Sequence, residues 1–213
     1  MEPSVPPAFV VVREEGTTLV LRGEHATALR AAEGLFRGGA PVPEPLGLVV
    51  KEAGAGAAFG WFLSREAEGM EDLRAVLLRC PPGDPFRRGA LRAAGRAVRR
   101  LHDAGALHAD LHAKNLLVPR AGGEALVLDL DGVKVPPGGL TREQRAAQIR
   151  RLDRSLVKLQ VVTGTPVSRA DRRRLVLAYL GGDRPTPEES ARWRRRHRAH
   201  LARHRLGWRL GGK

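Results

Sequence analysis

The chain has 213 residues, 42% of them apolar, which is enough to form one substantial core or two small lobes and excludes a chain disordered by composition. Lysine and arginine outnumber aspartate and glutamate by 37 to 23, for a formal net charge of +14. A positive field of that size attracts polyanions, whether nucleic acid, anionic lipid or phosphorylated sugar, and does not choose among them. An arginine-rich solvated surface, following from GC-rich coding, is the plain alternative.

The sequence shows no sign of a membrane span, a signal peptide or an internal disulfide. The sequence has no run of about 18 apolar residues, and its MEPSVPP start lacks the charged-then-apolar order of a signal peptide. Cys80 is the single cysteine, so a disulfide within the chain is excluded. We therefore expect a cytoplasmic protein, either free or peripheral to a membrane.

The first predicted elements are strands with one helix between them. The segments AFVVVR (8–13) and TTLVLR (17–22) are rich in β-branched residues and joined by a short turn, which is typical of a hairpin. Alanine and leucine at helical spacing predict a helix from His25 to about Arg37, and together these elements indicate one small sheet with one helix. Two more strands are expected after the extended segment PVPEP, at about 46–50 and 59–63.

The rest of the chain has a helical pattern. MEDLRAVLL (70–78) predicts a short helix, and a longer one is expected at 85–104 with Gly105 as its C-terminal cap. The elements predicted beyond it are two brief strands within 107–118 and 124–133, helices at about 141–162 and 168–180, and a helical arginine-rich tail from Pro187.

The motif HADLHAKN (108–115), followed by VLDLDG, carries the strongest chemical signal. Phosphoryl transfer requires a carboxylate near the attacking hydroxyl and oxygen ligands that hold Mg²⁺ on the nucleotide phosphates. Asp110 has the place of the residue that accepts the hydroxyl proton, and Asn115, five positions later, that of a metal ligand. Asp129 follows an apolar strand, where kinases place the aspartate of Asp-Phe-Gly, and Asp131 either assists the metal or caps a turn.

Four more polar residues lie in or near this motif. Lys114 either approaches the transferred phosphate or faces solvent, and His112 lies in the same loop. His108 is expected to hold the loop by hydrogen bonds, and His102, in the preceding helix, to be structural.

The elements and the motif together predict an α+β, two-lobed, protein-kinase-like fold with a site that holds Mg²⁺ on the phosphates of a nucleotide. We expect a small antiparallel-sheet N-lobe that binds nucleotide, a mainly helical, shortened C-lobe and a basic helical tail, at residues 1–65, 66–186 and 187–213.

The run RLHDAGALHADLHAKNLLV...LVLDLDG resembles the lipopolysaccharide core kinases, and most of all their Kdo kinase branch. The segment GGAPVPEPLG (38–47) is similar to the family's Gly-Leu-Pro-Val-Pro-x-Pro segment, and RRLDRSLVKL (150–159) to its Arg-Leu-x-Arg-Ser-Leu-x-Lys segment, so the resemblance spans most of 17–160. It implies an enzyme that uses ATP and Mg²⁺ to phosphorylate a sugar hydroxyl of the lipid A inner core, at the cytoplasmic face of the inner membrane.

The N-lobe departs from the usual kinase pattern. Arg22 stands where kinases carry the phosphate-binding lysine, with Glu33 as its expected helix partner and Glu24 as the alternative. Lys51, at the end of the next strand, is the only lysine of this lobe, and no glycine-rich loop is evident.

The tail carries seven arginines between 192 and 205, together with Trp193 and Trp208. This composition suits an anionic membrane interface, nucleic acid phosphates or a solvated helix. A kinase of the same fold acting on a small molecule or a protein, and a catalytically silent module that binds membrane or nucleic acid through the tail, are the alternative functions.

Overall fold

The computed structural model describes residues 10–14, 17–21, 24–52, 58–130, 132–181, 191 and 195, with side chains from residue 28 onward except at 48–61. Apart from residues 191 and 195, which are helical, the predicted tail helix lies outside the described residues, as does part of the N-terminal region. The expected division of the chain at residues 65 and 186 stays a prediction.

The N-terminal elements are two hairpins separated by a helix. Strand β1 (Val10–Glu14) pairs antiparallel with β2 (Thr17–Leu21), and β3 (Pro45–Glu52) pairs antiparallel with β4 (Ala58–Ser64). Helix α1 (Glu24–Arg37) lies between them in sequence and packs against β3. The prediction of one sheet was wrong: within the described part of the chain the hairpins form two separate sheets, because each strand pairs with its sequence neighbour.

The C-terminal elements are mainly helical, and the long helices lie where the sequence predicts them. A three-stranded antiparallel sheet runs in the order β5–β6–β7. The elements are β5 (Met70–Asp72), α2 (Leu73–Arg79), α3 (Pro85–Asp103), β6 (Leu116–Pro119), β7 (Leu126–Val127), α4 (Arg142–Thr163) and α5 (Arg169–Leu180).

The start of α2 differs from the prediction. Met70 and Glu71 were expected to be helical, but they are in β5, where they pair with Pro119 and Val118. The Asp72 side chain accepts a hydrogen bond of 2.8 Å from the Ala75 N–H, so it is the N-cap of α2. The helix begins after Asp72 because this residue has an extended backbone, with φ −68° and ψ 145°.

The proline-rich segment that follows α1 docks onto the helical part. The Val127 N–H donates to the Pro41 carbonyl at 2.7 Å, and an Arg100 Nη2 donates to the Gly39 carbonyl at 2.8 Å. Val42 is buried in the same core as α3. The proline-rich segment thus connects α1 to the strand that leads to Asp129.

Helix α3 is the centre of the core, and α5 packs closely across it. At Gly95 the two helices approach so closely that a Cβ would overlap the Leu175 carbonyl oxygen and lie 2.9 Å from the Ala178 Cβ. The fully buried apolar side chains of α3 and its neighbours include Leu73, Val76, Leu77, Leu91, Ala94, Val98, Leu101, Ala106, Leu111, Leu116, Val118, Val127 and Leu152.

A buried ion pair joins the start of α3 to the start of α5. Arg87 is 0% exposed, and its Nη2 lies 2.8 Å from an oxygen of Asp171, whose side chain is 1% exposed. The guanidinium also donates to the carbonyls of Leu77, Cys80 and Pro166, at 3.0, 2.7 and 2.6 Å. These bonds offset the desolvation of the charge. The Arg87 guanidinium therefore holds together the end of α2, the start of α3 and the start of α5.

Helices α4 and α5 are connected by a second ion pair. The Nε and Nη2 of Arg172 each lie 2.6 Å from an oxygen of the nearly buried Asp153 carboxylate. Each helix also begins with a capping box, formed by Thr141 and Gln144 in α4 and by Ser168 and Asp171 in α5. No helix within the described ranges is long and apolar enough to cross a membrane.

Two glycines of α3 form a matched pair of test sites. Gly95→Ala should lower the free energy of unfolding by about 1–3 kcal/mol, because the new methyl group cannot fit against α5. Gly89→Ala should raise it by up to about 1 kcal/mol, because a Cβ there meets open space and alanine favours the helix. Urea denaturation measures both variants. If Gly95→Ala is as stable as Gly89→Ala, the close α3–α5 packing is contradicted.

His102, near the end of α3, is buried and neutral. Its Nδ1 lies 2.9 Å from the Tyr179 hydroxyl, and its Nε2 is buried without a partner in the described part of the chain. Burial lowers the pKa of His102 from 6.5 to about 4, and the nearby Arg145 lowers it further while Asp103 opposes the shift. The expectation of a structural role for His102 is confirmed.

This shift predicts a pH dependence of stability. Between pH 6.5 and about pH 4 the unfolded chain binds a proton at His102 that the folded protein excludes. Neutral His102 therefore contributes fully to the free energy of unfolding above pH 6.5. This contribution is lost as the pH falls toward about 4, by up to about 1.4 kcal/mol per pH unit. Urea denaturation at several pH values across this window measures the free energy of unfolding. That free energy should fall less steeply with falling pH in His102→Gln than in the wild type. Equal slopes would show that His102 takes up its proton in the folded state.

Candidate active site

A backbone bridge brings the two predicted catalytic segments together. After α3 the chain turns at Gly105, whose φ is +80°, and enters the loop that carries Asp110. The Leu107 N–H donates to the Lys134 carbonyl at 2.7 Å, and the Lys134 N–H donates back at 3.0 Å. The loop at 108–115 therefore lies beside the segment that carries Asp129.

His108 connects these segments directly, as the sequence predicts. Its Nδ1 accepts the Asp110 N–H at 3.0 Å, so its Nε2 carries the proton and donates to the Leu128 carbonyl at 2.8 Å. Burial lowers the pKa of His108, although its hydrogen bond to Leu128 and the charge of Asp129 oppose this. The imidazole is thus held as one neutral tautomer, because each nitrogen has a defined partner.

Asn115 brings the three predicted catalytic residues into one cluster. It ends a single turn of 3₁₀ helix (Ala113–Asn115) and is 9% exposed. Its Nδ2 donates to the Asp110 carbonyl at 3.1 Å and to an Asp129 carboxylate oxygen at 3.0 Å. The Leu128 N–H donates to the Asn115 carbonyl at 2.9 Å, which fixes the two backbones side by side. The amide nitrogen is fully used by these bonds, so the amide oxygen is left for another ligand.

Asp129 has an uncommon backbone conformation. Its φ of +61° makes it the only non-glycine residue in the left-handed region among those the structure describes. Aspartate tolerates this region better than most residues, but the conformation still costs about 1–2 kcal/mol. Backbone strain of this kind is concentrated at functional sites, where the surrounding structure maintains it. Here the left-handed turn accompanies the bond from Asn115 to the Asp129 carboxylate.

Gly132 allows the turn after Asp129 to approach the Asp110 loop. Its φ is +69°, and a Cβ at this position would lie 3.2 Å from the Ala109 Cβ. A glycine is needed for both reasons, since another residue would strain the backbone and crowd the loop.

Asp110 is the exposed member of the cluster. Its side chain is 63% exposed, whereas Asn115 is nearly buried. One carboxylate oxygen lies 3.3 Å from the His112 Nε2, and the other lies 3.5 Å from the Arg151 Nη1. A substrate hydroxyl can therefore reach this carboxylate from solvent.

Helix α4 supports the loop through a row of polar side chains on one face. The Gln148 Nε2 donates to the His108 carbonyl at 2.9 Å, and Arg151 Nη1 donates to the Ala109 carbonyl. The Ser155 hydroxyl accepts the Ala113 N–H at 3.2 Å. Sequence reasoning missed these supporting residues. The only signal was the segment RRLDRSLVKL, which includes Arg151 and Ser155.

Two of the other predicted site residues, Lys114 and Glu33, are not brought into this cluster. Lys114 is exposed on the 3₁₀ turn, and Glu33 pairs with Arg37 at 3.3 Å on α1. Arg22 and Asp131 lie outside the described residues, as does the side chain of Lys51. Their roles in binding nucleotide or metal stay predictions.

The Asn115–Asp129 pair has the chemistry that a magnesium ion requires. Mg²⁺ typically takes one or two carboxylates, other oxygens and substrate phosphates, and it keeps several waters. The pair supplies one carboxylate and one amide oxygen, so it fits an ion carried by a nucleotide. The described residues contain no group of three or more His, Cys, Asp or Glu side chains that would hold a metal unaided.

Comparison with known proteins gives consistent matches. The sequence model of the lipopolysaccharide kinase (Kdo/WaaP) family matches residues 24–179. A protein of Actinobacillus succinogenes named 3-deoxy-D-manno-octulosonic acid kinase is 31% identical over 147 residues, which are 68% of this chain and 58% of that protein. A protein of the same name from Xanthomonas euvesicatoria pv. vesicatoria is 38% identical over 122 residues, which are 56% of this chain and 45% of that protein. The chain thus spans about half the length of these relatives.

A solved structure of WaaP in complex with acyl carrier protein is similar to this one, with a TM-score of 0.60. The similarity covers 95% of this chain and 89% of that chain at 18% sequence identity. It confirms the α+β, kinase-like fold expected from the sequence.

Proposed function

This chain belongs to the lipopolysaccharide kinase (Kdo/WaaP) family, and on that premise we propose that it transfers the terminal phosphate of ATP to a sugar hydroxyl of a Kdo-lipid A type acceptor. The observation that carries the proposal is the Asn115 amide, which bonds to both the Asp110 carbonyl and the Asp129 carboxylate. The relatives named 3-deoxy-D-manno-octulosonic acid kinase support the choice of acceptor.

In the proposed reaction Asp110 accepts the proton of the acceptor hydroxyl. The freed oxygen attacks the terminal phosphorus of ATP, the bond to the ADP oxygen breaks, and the phosphate passes to the sugar. Asp110 is suited to this role because its carboxylate is exposed while the backbone on either side is held by His108 and Asn115. A carboxylate so placed meets a hydroxyl without moving the loop.

Asn115 and Asp129 would hold Mg²⁺ with the nucleotide phosphates, and Asp131 would assist them. When bound, the ion neutralises negative charge on the phosphates. Asp129 is prepared for this role, because its left-handed backbone and the bond from Asn115 define where its carboxylate lies. Arg22, Lys51 and Lys114 would contact the nucleotide phosphates, with Glu33 orienting Arg22.

Exchange of one carboxylate tests the proposal. Asp110→Asn should lower kcat about 10²–10⁴-fold, because the amide cannot accept the hydroxyl proton. The assay measures transfer of radiolabelled phosphate from ATP to a Kdo-lipid A acceptor. Glu68→Gln, the same exchange at an exposed position, is the matched control and should leave kcat unchanged.

Circular dichroism should show that both variants are folded. An Asp110→Asn protein with the wild-type rate would contradict the assignment of the base. A wild-type protein that binds Mg²⁺-ATP in calorimetry but transfers no phosphate to this acceptor would contradict the acceptor class. A wild-type protein that binds no nucleotide would favour the silent binding module.

We further propose that the protein binds the anionic cytoplasmic face of the inner membrane through its basic tail. The acceptor is lipid-linked, and each basic residue near an anionic surface contributes about 1 kcal/mol. Replacing Arg192, Arg194, Arg195 and Arg196 by glutamine should weaken cosedimentation with phosphatidylglycerol vesicles by at least about tenfold. Neutral phosphatidylcholine vesicles and a salt series are the controls. Binding unchanged by the replacement would contradict this role of the tail.

A further inference from the structure

Arg151 places a cation beside the proposed base, and the reaction described above does not use it. It lies on α4, and its Nη1 donates to the Ala109 carbonyl and lies 3.5 Å from an Asp110 carboxylate oxygen. Its side chain is 39% exposed. Within the described part of the chain, its Nε and Nη2 have no partner. One side of the guanidinium therefore holds the catalytic loop, while the other faces solvent.

The Nε and Nη2 atoms, which are open in Arg151, bind carboxylates in two other arginines of this protein. The Nε and Nη2 of Arg172 each hold an oxygen of Asp153 at 2.6 Å, and the same two atoms of Arg79 hold Glu71 at 3.3 and 2.6 Å. This geometry is preferred because the planar guanidinium offers two parallel N–H groups that match the two oxygens of a carboxylate. Among the residues that the structure describes, no carboxylate lies on these two atoms of Arg151.

Arg151 and His112 flank the Asp110 carboxylate. Arg151 lies near one oxygen of Asp110, and the His112 Nε2 lies 3.3 Å from the other. The acceptor must lie against Asp110 to react, so its sugar ring comes within reach of the Nε and Nη2 atoms of Arg151.

We propose that Arg151 binds a carboxylate of the acceptor sugar and thereby selects a sugar acid over a neutral sugar. The proposal rests on the function proposed above and assigns a substrate-recognition role within it. A carboxylate on the Nε and Nη2 atoms would lie roughly 6–7 Å from Asp110, given hydrogen bonds of about 2.8 Å. One sugar ring spans that distance, so the carboxylate and the reacting hydroxyl can belong to the same residue.

Two acceptors distinguish recognition of the sugar carboxylate by Arg151 from its positioning of the Asp110 loop. The probes are an octulosonic acid linked to lipid A and the methyl ester of its carboxyl group. The wild type should prefer the acid, and Arg151→Gln should lower kcat/KM for the acid about 10–100-fold more than for the ester, whose smaller loss reflects the broken bond to the Ala109 carbonyl. Arg151→Lys, which keeps the charge but loses the planar fork, should be intermediate. Arg92→Gln, an exposed arginine of α3, is the matched control and should change neither value.

Two outcomes would overturn the proposal. In the first, Arg151→Gln loses activity equally with acid and ester, which shows that the arginine only positions the Asp110 loop. In the second, the wild type does not distinguish the two acceptors. If the wild type phosphorylates neither, the proposed function fails and calorimetry without ATP decides the inference: tighter binding of acid than of ester, lost in Arg151→Gln, supports it, and equal or absent binding refutes it.

Discussion

Two hydrogen bonds made by one buried imidazole hold the candidate active site together. His108 accepts from the Asp110 backbone and donates to the Leu128 carbonyl, so it can serve both only as the neutral tautomer with its proton on Nε2. Burial keeps it neutral by lowering its pKa. The positions of Asp110 and Asp129 depend on this bridge, and Asn115 then bonds to both segments from the other end of the loop.

Helix α4 also holds the loop at 108–115 through hydrogen bonds to its backbone. Gln148, Arg151 and Ser155 recur at helical spacing and each bonds to the loop backbone. Because these bonds reach main-chain atoms, α4 sets the shape of the loop whatever side chains the loop presents. Asp110 itself stays exposed. The site thus combines a rigid backbone with an accessible carboxylate, and Arg151 is both a support of the loop and part of its exposed face.

Local signals in the sequence were enough to predict the long helices and to select three residues that the structure brings together. Helical spacing, with Gly105 beyond the end of α3, predicted α3, α4 and α5, and the spacing of Asp110, Asn115 and Asp129 predicted the candidate site. Nonlocal contacts were missed. Met70 and Glu71 look helical, yet they pair with residues about fifty positions later. The bonds of α4 to backbone carbonyls leave no recognisable residue pattern, and the single N-terminal sheet was inferred from strand order without knowledge of pairing.

The buried pair of Arg87 and Asp171 has a consequence for the order of folding. The two residues are 84 positions apart, and Arg87 also needs the Pro166 carbonyl. A cation buried without its counter-ion is strongly unfavourable, so we expect the core around α3 to close only once α5 is present. During synthesis the loop at 108–115 leaves the ribosome before α5, which follows it in the sequence. The nascent chain therefore carries Asp110, Asn115 and Asp129 before the core beneath them is complete.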